Sequence, residues 1–240
     1  MRSENADDFS PARVAALRRQ IERQGVIADP FLADDPDCPV FGLNLACAYP
    51  FPASASQAYN SMAARLAALD PAVYVYPLWQ THVTIATFVN FSRHRRPAPP
   101  DTSKLQALAG RIIHCIRSLT VNSFGLQLRA PVLTRMAAII PISNSTGEIA
   151  RLRAQALQLI ERDPALNPEL LARGLSTPQI IHSTVMRFRK EPRNPGRLID
   201  DFHAIAATAP LGEIEVNEIV LTEETKPYMR EGKVLHRFGN

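Results

Sequence analysis

One short segment occurs twice in this chain, one hundred positions apart, and it restricts the fold more than any other feature. The first copy is His82-Val83-Thr84-Ile85-Ala86-Thr87-Phe88 and the second is His182-Ser183-Thr184-Val185-Met186-Arg187-Phe188. Histidine, threonine, a β-branched residue, an apolar residue and phenylalanine recur at the same offsets. The surroundings repeat as well: Val121-Asn122-Ser123-Phe124-Gly125-Leu126 resembles Val216-Asn217-Glu218-Ile219-Val220-Leu221 at nearly the same separation. Each of these lies beyond a helix-like stretch that follows a histidine segment. The economical explanation is one supersecondary unit used twice. The period is too long for a solenoid, so two lobes about a pseudo-twofold are expected.

On a strand, side chains i and i+2 share a face. His82 and Thr84 then point one way while Val83 and Ile85 point into a core. His182 and Thr184 share a face in the same manner, opposite Ser183 and Val185. Two such faces meeting across a cleft surround one small group with two imidazoles and two hydroxyls. A phosphodiester suits that arrangement. One neutral histidine removes a proton from water or a ribose hydroxyl; the other, charged, gives one to the leaving oxygen. The threonines donate to non-bridging oxygens.

Composition leaves room for this and excludes some rivals. The chain has 240 residues, nearly half of them hydrophobic, enough for one large domain or two fused lobes. No apolar run approaches a membrane span, and Met1 to Asp8 lacks the apolar core of a secretory signal. Cys38, Cys47 and Cys115 form no zinc-like or redox spacing and are expected to be reduced thiols in a cytoplasmic protein. Neither histidine has a His, Cys, Asp or Glu at a ligand-like offset, so no metal and no cofactor is expected. The formal net charge of +4, mostly arginine, is compatible with a phosphate-bearing ligand.

Along the chain, Ser10-Pro11 starts a helix carrying Val14, Leu17 and Ile21. Val26 to Pro39, rich in Asp and Pro, is expected to be a loop. Phe41 to Cys47 is a strand, Ser54 to Leu69 an amphipathic helix, and Val73 to Tyr76 and Thr81 to Phe88 are strands around a Pro-Leu-Trp turn. A helix follows from Asp101 to about Arg117, then strands at Thr120 to Arg129 and Met136 to Ile142, and a helix from Ser145 to Glu161. Ile180 to Phe188 is the second histidine strand, Arg197 to Ala207 a helix, and Glu213 to Thr222 pairs with Lys233 to Phe238. Interleaved helices with hairpin-like strands indicate α+β lobes rather than a doubly wound sheet.

With both tetrads on strands, His82-Val83-Thr84-Ile85 and His182-Ser183-Thr184-Val185, the chain resembles the two-histidine phosphoesterase superfamily. The resemblance runs from about Phe41 to Phe238. It implies a bilobal, duplicated α+β fold, two antiparallel-sheet lobes with outer helices, and both tetrads in a central metal-free cleft. It implies catalytic roles for His82, Thr84, His182 and Thr184. The substrate would be a cyclic or 2′-linked phosphodiester of a nucleotide or RNA end, with neither a membrane nor a protein partner. Residues 1–30 have no placeable counterpart and are taken as an N-terminal helical extension, residues 31–240 as a single bilobal domain. The alternative is a non-catalytic nucleotide- or RNA-binding module with the same fold.

Other residues are weaker candidates for substrate binding. Trp79 and Tyr76 precede the first tetrad and could line the cleft. Tyr228, in a late loop, could stack on a nucleobase. Lys190 could approach a phosphate, whereas strict alternation sends Arg187 and Arg189 to the face opposite His182. Arg93, Arg95 and Arg96 could flank the other mouth. Phe88 and Phe188 are expected in the core or the cleft floor.

Overall fold

The computed structural model describes residues 9–33, 37–93 and 102–239; the expectations for Met1 to Asp8, for Arg95 and Arg96 and for the side chain of Arg93 lie outside what is described. Helix α1 (Pro11–Gln24) begins where Ser10 Oγ accepts the Arg13 N–H at 3.3 Å and ends at Gly25, whose φ of +69° suits glycine. The expected loop after it contains a short turn of helix, α2 (Pro30–Ala33), started by Asp29, whose Oδ1 accepts the Phe31 N–H at 3.0 Å.

Two antiparallel sheets form the body. The first has strands β1 (Gly42–Cys47), β3 (Val83–Val89), β9 (Glu218–Lys226) and β10 (Glu231–Gly239), in the order β10-β9-β1-β3. The second has β2 (Val73–Val75), β4 (Phe124–Leu128), β6 (Ala137–Ser143), β7 (His182–Phe188) and β8 (Glu213–Val216), in the order β2-β7-β6-β4-β8, with β5 (Val132–Leu133) paired to β6. Helices α3 (Ala53–Ala67), α4 (Thr102–Ile116), α5 (Glu148–Glu161), α6 (Leu166–Ala172) and α7 (Pro195–Ala207) lie between these strands in sequence. The fold is therefore α+β, as the pattern of elements implied.

The duplication is exchanged between the lobes. Each tetrad sits in an antiparallel pair, β1 with β3 and β6 with β7. The repeated Val-Asn segments lead into β4 and β9. Strand β4, from the first repeat, pairs with β6; β9, from the second repeat, pairs with β1. Each histidine sheet thus takes strands from both repeats, and the two cannot separate without breaking both.

One expected strand is two. Glu213 to Thr222 divides at Asn217: β8 ends with Val216 opposite Phe124 in the second sheet, and Ile219 lies opposite Cys47 in the first. Burial explains the division. Strand β8 alternates exposed and buried residues, as a strand with one solvated face does, whereas Ile219, Val220, Leu221 and Thr222 are all buried, as in a strand covered on both faces. Phe88 and Phe188 are fully buried core residues; truncating either to alanine would cost about 3–5 kcal/mol.

Candidate functional site

A cleft of about 210 Å³ is lined by His82, Thr84, His182 and Thr184 together. Alternation puts each histidine and its threonine on one face, and a β-bulge placed at the same offset in each repeat decides which later residue joins them. In β3, Ala86 lies opposite Leu45 and Thr84 opposite Ala46, leaving Ile85 as the extra residue. In β7, Met186 lies opposite Ala138 and Thr184 opposite Ile139, leaving Val185 extra. A bulge re-aims the side chains beyond it. Ile85 with Ala86, and Val185 with Met186, are consecutive buried pairs, and the next residue of each strand returns to the cleft. These next residues are Thr87 and Arg187, both in the cleft lining.

The expectation for Arg187 is thereby corrected. Strict alternation sends it away from His182; the bulge at Val185 shifts the parity by one and puts it beside His182 and Thr184. The repeat held the signal for this, since both copies place two apolar residues after the threonine.

The bulges leave carbonyls that the strand ladder does not use, and each finds its own donor. Buried Arg153, from α5, donates to the Ile85 carbonyl at 3.2 Å and to the Thr84 carbonyl at 3.3 Å. In the other lobe the Tyr76 N–H donates to the Val185 carbonyl at 2.9 Å.

Both imidazoles are oriented in the same way. His82 Nδ1 is 2.9 Å from the Gln80 carbonyl and His182 Nδ1 is 3.3 Å from the Ile180 carbonyl. A carbonyl only accepts, so Nδ1 carries the proton in each, and Nε2 is the nitrogen that titrates. Burial pushes both below the ordinary value of 6.5; the charge of His182 adds to this at His82, and Arg187 and Arg153 add to it at His182. The hydroxyls of Thr84 and Thr184 have no partner among the described residues.

The remaining walls differ in charge. On the β7 side, Arg187 donates through Nε to the Tyr76 hydroxyl at 3.0 Å and through Nη1 to Asp29 at 3.1 Å, and its guanidinium lies 4.0 Å over the Tyr228 ring. Tyr228 also donates its hydroxyl to Asp29. Its ring stands edge-on to Phe91 and Phe31, at 5.2 and 6.3 Å. On the β1 side, Thr87 donates its hydroxyl to Asn44 Oδ1 at 2.9 Å, and Asn44 Nδ2 donates to Glu224 at 3.1 Å. Glu224 also accepts the Met229 N–H at 2.7 Å, which anchors the turn where Tyr228 and Met229 both take positive φ. Burial pushes the Glu224 carboxyl up to about 7.

The weaker candidates divide. Tyr76 and Tyr228 line the cleft. Trp79, 51% exposed, and Lys190, also exposed, do not. Arg189 lies 5.1 Å over the Tyr74 ring, away from the cleft. Asn44 and Glu224 were missed because strand patterning shows only half-buried polar residues, and Asp29 because it lies in a loop-like stretch. Among the described residues no three His, Cys, Asp or Glu side chains are grouped to hold a metal ion, and no helix is long and apolar enough to cross a membrane. A larger groove of about 730 Å³, between the start of α1 and α7, contains neither tetrad.

No family model and no curated protein matches the sequence. Solved structures do. The conserved protein of unknown function ATU0111 from Agrobacterium tumefaciens strain C58 is similar at 16% identity over 97% of this chain and 98% of that one, with a TM-score of 0.59. TT0787 of Thermus thermophilus is similar at 18% identity over 82% of this chain and 97% of that one, with a TM-score of 0.54. E. coli LigT complexed with phosphate is similar at 14% identity over 84% and 98%, with a lower TM-score of 0.45. At these identities the likeness is one of fold: this chain has the α+β architecture of the Agrobacterium and Thermus structures, and that architecture is what its tetrads imply through their resemblance to the two-histidine phosphoesterases.

Proposed function

We propose that this protein is a phosphodiesterase of the two-histidine kind, acting without a metal on a cyclic or 2′-linked phosphodiester of a nucleotide or RNA end. The observation that carries this is the matched pair of bulged strands, which brings two imidazoles, two uncommitted hydroxyls and one guanidinium to one cleft. With Nδ1 of each histidine committed to a carbonyl, both Nε2 atoms are left for proton transfer. One neutral Nε2 takes the proton of the attacking water or ribose hydroxyl, and the charged partner protonates the leaving oxygen. Thr84, Thr184 and Arg187 donate to the phosphoryl oxygens as charge grows on them. The cavity is small enough that the phosphodiester and its sugar fill it.

The test is a panel assayed in EDTA: 2′,3′-cyclic mononucleotides, a cyclic ADP-ribose phosphate, 2′,5′-linked dinucleotides and RNA with a cyclic phosphate end. Turnover of at least one, unchanged by the chelator, is expected. Activity that disappears in EDTA and returns with zinc, manganese or magnesium counts against the mechanism. Binding without turnover of any of them would make the protein a nucleotide-binding module.

A further inference from the structure

Asp29 belongs to the stretch that joins α1 to the rest of the chain, far in sequence from both tetrads. Its side chain is 4% exposed, and that of Arg187 is 18% exposed. The carboxylate accepts from the Phe31 N–H, from Arg187 Nη1 and from the Tyr228 hydroxyl. Its own N–H donates to the Phe188 carbonyl at 2.8 Å, at the end of the strand that carries His182 and Arg187. The carboxylate is thus fixed to β7 by its backbone and to the cleft wall by its side chain.

A guanidinium on a flexible stem binds phosphate well only when its fork is already aimed. Arg187 spends Nε on Tyr76 and one Nη1 proton on Asp29, which leaves Nη2 for a ligand in the cavity it lines. Tyr228, packed against the guanidinium, is held by the same carboxylate oxygen. We propose that Asp29 is a positioning residue: it aims Arg187 and packs Tyr228 against it at the phosphate subsite, so that the N-terminal segment braces a cleft wall built by later parts of the chain. This rests on the phosphate-binding part of the reading above.

Two effects of Asp29 have opposite signs. If it were only a counter-ion, removing its charge would raise the positive potential around Arg187 and tighten phosphate binding. If it positions Arg187, the loss of aim dominates and binding weakens. The experiment is a titration of the full chain with inorganic phosphate, followed by the imidazole NMR signals of His82 and His182. Asp29→Asn is expected to weaken phosphate roughly tenfold, the usual scale for a residue that orients a ligand-binding group. The loss should vanish in an Arg187→Met background, because the two residues act as one unit; a merely structural defect would persist there.

Should Asp29→Asn not fold, Asp29→Glu reads the same geometry. It keeps the charge but displaces it by one methylene, so positioning predicts weaker phosphate and a counter-ion predicts wild-type affinity. Unchanged or tighter binding in Asp29→Asn, or an undiminished loss in the double variant, overturns the role of Asp29 alone. A wild-type chain whose histidines ignore phosphate overturns the cleft reading itself.

Discussion

The two tetrad strands of this molecule share the backbone course of their tetrads and differ in chemistry. Both carry a histidine held through Nδ1 by the carbonyl two residues back, a cleft-facing threonine, and a bulge one residue later. Beyond the bulge they part. The β3 copy presents Thr87, whose hydroxyl is spent on Asn44 and so linked to the buried Glu224. The β7 copy presents Arg187, held by Asp29 and Tyr76. The core faces part as well, with Val83 in one and Ser183 in the other. On the proposed function, what the two copies share is what places the proton-transfer atoms; where they differ, a cation stands on one side and a carboxyl on the other. The proposed phosphodiester substrate is itself asymmetric, with an attacking and a leaving oxygen, and on that reading the asymmetric cleft would hold it in one orientation.

The largest effect should come from the shared part. His82→Ala and His182→Ala are each expected to lower turnover by roughly a hundredfold or more. The double variant should be little worse than the poorer single one, because both serve one transition state. The profile of kcat/KM against pH should be a bell, since one imidazole must be neutral while the other is charged. Both are depressed below 6.5 in the free protein. The charged partner is therefore lost as pH rises through a value under 6.5, and the optimum should be acidic. An alkaline optimum, or a histidine variant with wild-type turnover on the true substrate, would break the equivalence of the two copies.

The next effect tests the difference. Arg187→Met is expected to cost on the order of 2–4 kcal/mol in transition-state stabilisation, the scale of a lost oxyanion donor. Thr84→Ala and Thr184→Ala should fall in the same range, because neither hydroxyl has another partner among the described residues. Thr87→Val should cost under about 1 kcal/mol, since its hydroxyl already serves Asn44. Steady-state kinetics on one substrate rank all four, and equal losses at Thr87 and Arg187 would show that the asymmetry has no catalytic meaning.

The repeat made the architecture and the four tetrad residues legible because strand alternation is local: His82 and Thr84 share a face whatever surrounds them. It failed where long-range pairing decides. The parity of Arg187 depends on a bulge set by Ile139 and Ala138 across the sheet, and the division of the strand at Asn217 depends on which sheet each half joins. Asp29, Asn44 and Glu224 gave no sequence signal because their partners lie far away in the chain; Asn44 and Glu224, for example, are 180 positions apart. Trp79 was misleading in the other direction, since an aromatic beside a histidine is no evidence that it turns into the cleft.

Glu224 provides a third test, through stability. Its carboxyl is raised from 4.5 to about 7 by burial. A group whose folded value is raised contributes stability that is complete below its unfolded value and is lost as pH rises through the folded one. Between pH 4.5 and 7 the native state therefore loses on the order of 3 kcal/mol through this residue. Glu224→Gln should flatten that decline, so that the variant gains on wild type as the pH of urea unfolding is raised. A parallel decline in both proteins would mean that Glu224 does not titrate in this window, and that the β1 side of the cleft carries no switchable charge.

The smallest effect concerns the core faces of the two copies, where catalysis should not enter. Val83 and Ser183 occupy equivalent positions, and both are buried, at 0% and 1% exposure. Ser183 Oγ has no hydrogen-bond partner among the described residues. A buried hydroxyl left unsatisfied costs roughly 1–3 kcal/mol, partly offset by the contacts its oxygen makes with its neighbours. Ser183→Ala removes the oxygen without adding volume and should raise stability by about 1 kcal/mol. Val83→Ser creates the same defect in the other lobe and also removes apolar volume, so it should lower stability by about 2–3 kcal/mol. Neither should alter turnover by more than about twofold, since each side chain points away from the cleft on a strand whose bulge fixes the opposite face. Urea midpoints measured at constant slope separate stability from compactness. A loss of stability in Ser183→Ala would show that the hydroxyl finds a buried partner after all, and a large loss of turnover would show that this face of β7 communicates with His182.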